Sequence, residues 1–140
     1  VTRLMMTATA LLCLATPALA DMGDAAVGEK EFRKCKSCHQ IASADEVIVK
    51  GGRTGPNLYG IIGRQAGIED FRYGADLVTA GEQGLVWNAD TLQAYITDPR
   101  GFLRETLGDD KAQVKMTFRL RDHQADVAAY LAQFGQDSGS

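Results

Sequence analysis

Histidine and cysteine are scarce in this chain, with two histidines and three cysteines among 140 residues. No cysteine follows Cys38, and the only histidine besides His39 is His123. A structural zinc site draws four ligands, usually as two pairs, and no second pair exists here to complete one. No stretch approaches the roughly 18 consecutive apolar residues of a membrane span. Lys and Arg number 15 against 18 Asp and Glu, a formal charge of −3. Without a basic excess, nucleic acid is excluded as the expected partner. There is no alternating strand pattern of any length and no internal repeat. A βαβ setting for a dithiol oxidoreductase is therefore missing.

What is present begins with an export signal. Residues 1–20 carry one cation, Arg3, then a run of small and apolar residues that closes with Ala18-Leu19-Ala20. This is the layout of a secretory signal peptide with a small-x-small cleavage site. Cys13 belongs to this leader, and Leu12 stands before it where a lipid-anchor signal wants a small residue. Cleavage removes one cation and no anion, taking the formal charge from −3 to −4. The length that follows suits one domain with a modest core.

Three helices are legible. The first runs through "DAAVGEKEFRKC", with Asp24 as N-cap and Val27, Phe32 and Cys35 near one face. Gly28 inside it costs roughly 1 kcal/mol against alanine, which points to another backbone passing close by. The second runs through "NADTLQAYITD", capped by Asn88, buried through Leu92, Tyr95 and Ile96, and stopped by Pro99. The last is "DHQADVAAYLAQF", with Asp122 as N-cap, a stripe of Val127, Leu131 and Phe134, and Gly135 at its end. Between them lie the glycine-dense "KGGRTGPNLYGIIGRQAG" and a further stretch, "ETLGDDKAQVKMTF", both read as loop. Long structureless loops in a small domain commonly serve a function or wrap a ligand. So few apolar stripes leave the centre to be filled by something other than side chains.

The stretch "EFRKCKSCHQI", residues 31–41, supplies the candidate. Cys35, Cys38 and His39 form Cys-x-x-Cys-His, the pattern of covalent haem attachment. Each thiol adds across one vinyl group of the porphyrin, and the adjacent imidazole is aimed at iron. Export strengthens this reading, because covalent haem is attached outside the cytoplasm. For a sixth ligand the exported chain offers Met22, Met116 and His123. Met22 lies at the N-terminus and His123 beside a helix cap, both fitting solvent exposure. Met116 lies in a loop with no helical stripe to explain it, and packing against the domain is its other role.

Taken together, "GEKEFRKCKSCH", "GGRTGPNLYGIIGR", "FRYG", "WNADTLQAYITDP" and "KMTF" resemble a class I c-type cytochrome, and within that class the larger periplasmic members of the bacterial cytochrome c2 family. The resemblance runs from about Asp24 to Phe134. It implies an all-α fold of about three to five short helices and long loops wrapped around one covalently bound haem c. Residues 1–20 are then a signal peptide, 21–134 the cytochrome domain and 135–140 a flexible tail. It further implies Cys35 and Cys38 as thioether cysteines, His39 and Met116 as iron ligands, and the Pro56 carbonyl as acceptor for the proximal imidazole. Arg64, Tyr73 and Trp87 would hydrogen-bond a buried haem propionate, and Tyr95 would lie near the methionine sulfur. Gly28 and Phe32 would cross the last helix near Tyr130 and Leu131. Val114 stands where a threonine is frequent in mitochondrial relatives, removing one hydrogen bond to a propionate.

The implied function is that of a periplasmic one-electron carrier, not an enzyme. It is expected to be monomeric and not membrane-spanning. It would dock transiently on a bc-type quinol-oxidising complex and on an oxidase, reductase or photosynthetic reaction centre. A haem peroxidase-like enzyme with a labile methionine ligand is the alternative. Arg33, Lys34, Lys36, Lys50, Arg53, Lys115, Arg119 and Arg121 flank the haem motif and the methionine loop. Asp70, Asp76, Glu82, Asp90 and Asp98 fall mid-chain. The expectation is a basic haem edge on an acidic molecule, steered to acidic partners.

Overall fold

Asp24 sets where the first helix begins. Its carboxylate accepts from the backbone N–H groups of Ala26 at 2.8 Å and Val27 at 3.2 Å, capping α1, Ala25–Glu31. In this computed structural model, which describes residues 23–135, the chain then tightens into a 3₁₀ turn over Phe32–Lys34. The helix expected through Cys35 thus changes its winding just before the cysteine motif. Residues 1–20, read above as a signal peptide, Met22 and the tail beyond residue 135 lie outside the described residues.

Two short strands follow, β1 (Ile41–Ala42) and β2 (Val47–Val49), paired antiparallel with an irregular register. At two and three residues they are too short to leave a period in the sequence, where no strand was expected. Asn57 clamps this hairpin, accepting from the Ala42 N–H at 3.0 Å and donating to its carbonyl at 2.7 Å.

Helix α2, Ala75–Glu82, has Gly74 at its N-cap and no side-chain cap, so the usual start signal is missing and the sequence reading passed over it. Helix α3, Ala89–Thr97, has the expected Asn88 cap, reinforced as a capping box by Thr91. Its expected face, Leu92, Tyr95 and Ile96, is buried. Pro99 ends α3 as expected, but it also opens α4, Pro99–Leu107. Proline is favourable in a first turn, where its missing N–H has no helical partner. The Asp98 carboxylate caps α4 through the Gly101 N–H at 3.1 Å, and Gly108 ends it at φ 62°. The stretch read as loop from Glu105 is therefore helical as far as Leu107.

Helix α5, Gln124–Leu131, starts later than expected. Asp122 is not its cap; His123 holds that position in the left-handed conformation, φ 66°, and caps nothing with its side chain. The imidazole instead meets Asp126, Nδ1 to Oδ2 at 2.7 Å, while Asp126 Oδ1 accepts from the Asp24 N–H at 2.7 Å. One carboxylate thereby joins the start of α5 to the start of α1.

The α1–α5 crossing is the expected one. A Cβ at Gly28 would fall on the Asp126 carbonyl and within 2.8 Å of the Tyr130 Cβ. Phe32 packs beside Tyr130, ring centroids 5.5 Å apart, and Tyr130 meets Phe134 at 5.1 Å. The five described helices make an all-α fold.

Two consequences are measurable. Gly28→Ala raises intrinsic helix propensity by about 1 kcal/mol but drives a methyl into a backbone carbonyl that has no rotamer to retreat to. Clash dominates, and the variant loses about 3 kcal/mol in denaturant unfolding; a gain would place the crossing elsewhere. Asp126 is held below the usual carboxylate range, first by the His123 hydrogen bond and then by the Asp24 N–H. A depressed folded-state pKa gives stability that is complete above the unfolded value and lost as pH falls through the folded one. Asp126→Asn should therefore be less stable than the unsubstituted protein at pH 7, with the gap closing below about pH 4 in unfolding curves taken across pH.

Candidate cofactor site

Cys-x-x-Cys-His is folded into a compact turn. The N–H groups of Cys38 and His39 both donate to the Cys35 carbonyl, at 3.1 and 2.9 Å. Cys35, Cys38 and His39 line one cavity of about 430 Å³. Leu58, Ile61, Leu77, Leu92, Ile96 and Leu103 give it a largely apolar interior. Met116 reaches the same cavity from the segment before α5, nearly eighty positions away in the chain.

The glycine-dense loop is explained by how tightly it wraps the motif. Gly52 donates to the Lys36 carbonyl at 2.9 Å and Gly55 to the Cys38 carbonyl at 2.8 Å. A Cβ on Gly51 would strike the His39 carbonyl, and one on Gly55 would come within 2.7 Å of both imidazole nitrogens. Only a residue without a side chain lets this backbone lie against the ring.

The next residue fixes that ring. His39 Nδ1 is 2.8 Å from the Pro56 carbonyl oxygen. A carbonyl only accepts, so Nδ1 carries the proton and Nε2 keeps its lone pair. Burial lowers the His39 pKa, with the Pro56 bond opposing in part. The imidazole is therefore neutral at pH 7, the form that ligates a metal.

The two thiols differ. Burial, followed by the neighbouring Cys38, pushes Cys35 up to about 11. Cys38 is exposed and lowered, chiefly by a hydrogen bond with Thr54 and then by Ser37. Thr54 and Ser37 are site residues that sequence reading did not single out; their signals were the Thr54-Gly55-Pro56 run and Ser37's place between the two cysteines.

Trp87 and Tyr95 form a buried aromatic wall, with centroids 4.9 Å apart and Phe102 stacked behind Trp87 at 6.1 Å. Burial alone pushes the Tyr95 hydroxyl up to about 12. Tyr73 also lines the cavity, and burial raises its pKa. Arg64 is not among the lining residues. Its guanidinium donates to the carbonyls of Asn57 at 2.8 Å and Tyr59 at 3.3 Å, and pairs with Glu69 at 3.3 Å. Its backbone carbonyl accepts from the Trp87 N–H at 2.9 Å. Arg64 thus supports the Trp87 backbone.

The expected division of charge is only partly present. Lys34 and Lys115 line the cavity. Lys34 is paired with Glu31 and Arg119 with Asp98, the latter at 2.8 Å. Asp76 and Asp98, expected away from the methionine loop, both touch it.

No three His, Cys, Asp or Glu side chains converge among the described residues. With the Cys35 and Cys38 thiols taken up as tethers, one imidazole and one thioether are what the cavity offers a metal. An ion held there needs its other ligands from a group of its own, and a flat, mostly apolar macrocycle with reactive vinyl edges fits this wall. The residues therefore suit a haem tethered at Cys35 and Cys38.

No family model matches the sequence. The chain is 61% identical over 132 residues to cytochrome c-551 of Roseobacter denitrificans, covering 94% of each. It is 51% identical to cytochrome c-550 of Paracoccus versutus, covering 94% of this chain and 88% of that one. Among solved structures, the cytochrome c2 of Paracoccus denitrificans superposes with a TM-score of 0.80 at 48% identity, over 83% of this chain and 99% of the other.

The wrapping loop gives a paired test. Gly55→Ala forces the imidazole aside and should cost about 2 kcal/mol of unfolding free energy. Pro56→Ala keeps the acceptor, which belongs to the backbone, and should cost less than about 1 kcal/mol. Equal losses in denaturant titrations would deny the ring its special contact.

Proposed function

The chain belongs to the bacterial cytochrome c2 family of class I c-type cytochromes, and from this membership we propose that Cys35 and Cys38 hold its haem c, with His39 and Met116 as iron ligands. It is an electron-transfer protein rather than an enzyme, and it carries one covalently attached haem. The carrying observation for the residue assignment is that Cys35, Cys38, His39 and Met116 line one largely apolar cavity. When bound, the haem supplies a single centre that gains or loses one electron.

Each residue has a distinct task in this reading. Pro56 orients His39 and keeps its ligating nitrogen unprotonated. The Met116 thioether is a soft donor that favours the ferrous state and raises the potential relative to a second imidazole. Were His39 and Met116 both to bind the iron, no position would be left for oxygen or peroxide. That argues against the peroxidase-like alternative, which the names of the relatives also do not support. The low-dielectric wall of Trp87, Tyr95 and Leu103 excludes water, so a change of charge requires little solvent rearrangement. Tyr73 and Trp87 supply O–H and N–H donors for a buried propionate. Arg64 adds positive charge and holds the Trp87 backbone.

Among the described residues no helix is long and apolar enough to cross a membrane. Residues 1–20 support export, and we assign the protein to the periplasm, shuttling between membrane redox complexes. A bc-type quinol-oxidising complex as donor and an oxidase, reductase or reaction centre as acceptor fit this role. Lys34 and Lys115 at the cavity mouth support transient electrostatic docking.

The test is an optical and mass comparison of protein made with a haem-attachment system. The unsubstituted chain should carry one covalent haem and show the far-red band of methionine on ferric iron. Met116→Leu should keep the haem, lose the band and drop in potential by roughly 0.1 V, within the range axial ligands command. Cys35→Ser with Cys38→Ser should have the mass of bare polypeptide. A colourless unsubstituted product, or a Met116→Leu protein with an unchanged spectrum, would overturn the assignment.

A further inference from the structure

Met116 lies in a segment, residues 113–120, that forms neither helix nor strand. Such a segment has no hydrogen-bond ladder of its own, so its position depends on what fastens it to the rest of the fold. Downstream of the methionine there are two ties. The Leu120 N–H donates to the Ile96 carbonyl at 2.8 Å, and Arg119 pairs with Asp98 at 2.8 Å. Upstream there are two more. Lys115 Nζ donates to the Arg72 carbonyl at 2.8 Å, and the Gln113 N–H donates to Asp76 Oδ2 at 2.6 Å.

The Asp76 tie differs from the others. It joins the methionine segment to the first turn of α2 across 37 positions of sequence. Gly74 leaves that helix without a side-chain cap, yet Asp76 directs its carboxylate outward to Gln113. An ionised acceptor makes the bond charge-assisted, and the positive end of the α2 dipole favours the charge where it stands. Asp98, by contrast, also caps α4, so its removal disturbs a helix as well as the segment. Gln113 lines the cavity three positions before the sulfur, close enough for its displacement to be felt there.

We propose that Asp76 is a positioning residue for the methionine ligand: by holding the Gln113 N–H, its carboxylate fastens the segment that carries Met116 and keeps the thioether from leaving the iron. This rests on the reading of Met116 as a ligand. Loss of the tie favours an opened state in which an outside ligand can take the sixth position.

The experiment titrates ferric holoprotein with imidazole and follows the far-red methionine band, without denaturant. Asp76→Ala should raise the apparent imidazole affinity about tenfold, as expected for losing a hydrogen bond to a charged acceptor. Asp76→Asn, which retains an acceptor oxygen, should recover to within about threefold of the unsubstituted protein. Glu82→Ala, at the far end of the same helix, controls for loss of a negative charge and should change nothing. Gln113→Pro deletes the same bond from the donor side and should reproduce the rise, which keeps the test decisive if Asp76→Ala does not fold. Guanidinium unfolding midpoints separate a local effect from general weakening. Unchanged imidazole affinity in Asp76→Ala or Gln113→Pro, or an equal rise in Glu82→Ala, overturns the inference while leaving Met116 a ligand. Absence of the band from the unsubstituted protein overturns both.

Discussion

The hydrogen bond from His39 Nδ1 to the Pro56 carbonyl is the constraint around which the first half of the domain is arranged. It selects the tautomer that leaves Nε2 without a proton and requires the loop backbone to lie flat against the ring. That closeness requires glycine at position 55. The same loop returns to the carbonyls of Lys36 and Cys38 through Gly52 and Gly55. The cysteine motif's backbone, the imidazole and the loop are thus one hydrogen-bonded unit, and a side chain placed by such a unit does not depend on helix packing at a distance.

The second half solves a different problem. The helices are short, seven to nine residues each, below the length at which isolated helices hold themselves together. They gain stability from contact with one another and with whatever fills the cavity. The α1–α5 crossing brings two backbones together at Gly28 and is sealed by Phe32 and Tyr130. Elsewhere Leu92, Ile96, Leu103, Val127 and Leu131 face the cavity as well as each other. Their burial is only partly a matter of side chains meeting side chains. A macrocycle seated there would act as core and as redox centre together, and the apolar side chains that stabilise the fold would also set the dielectric around it.

What the sequence disclosed follows from this division. Cys35, Cys38 and His39 lie within one five-residue stretch, so their grouping was readable without any fold. Gly28 announced a close crossing because glycine in a helix is unfavourable unless something needs the space. Asn88 and Asp24 were legible as caps because capping is local. Helix α2 was missed because a glycine stands where a capping side chain would have signalled it. Helix α4 was missed because Pro99 was read as a stop when it is also a start. The β1–β2 hairpin is too short to show a period. Arg64 was named from the resemblance, but that its guanidinium also meets the carbonyls of Asn57 and Tyr59 and the Glu69 carboxylate is learned only from the fold. Sequence names the charge; only packing says which atoms it touches.

The same limit applies to the methionine side of the site. Nothing near Met116 in sequence fixes it, since residues 113–120 have no regular structure. Its placement comes from Asp76, Arg72, Ile96 and Asp98, all of which precede it by 18 to 44 positions. The two proposed iron ligands are therefore held by opposite strategies, one by its immediate neighbours and one by distant ties. A site built this way has a firm side and a yielding side. Perturbations of the fold should reach the thioether before they reach the imidazole, because each distant tie can open while the Cys-x-x-Cys-His turn remains closed on itself.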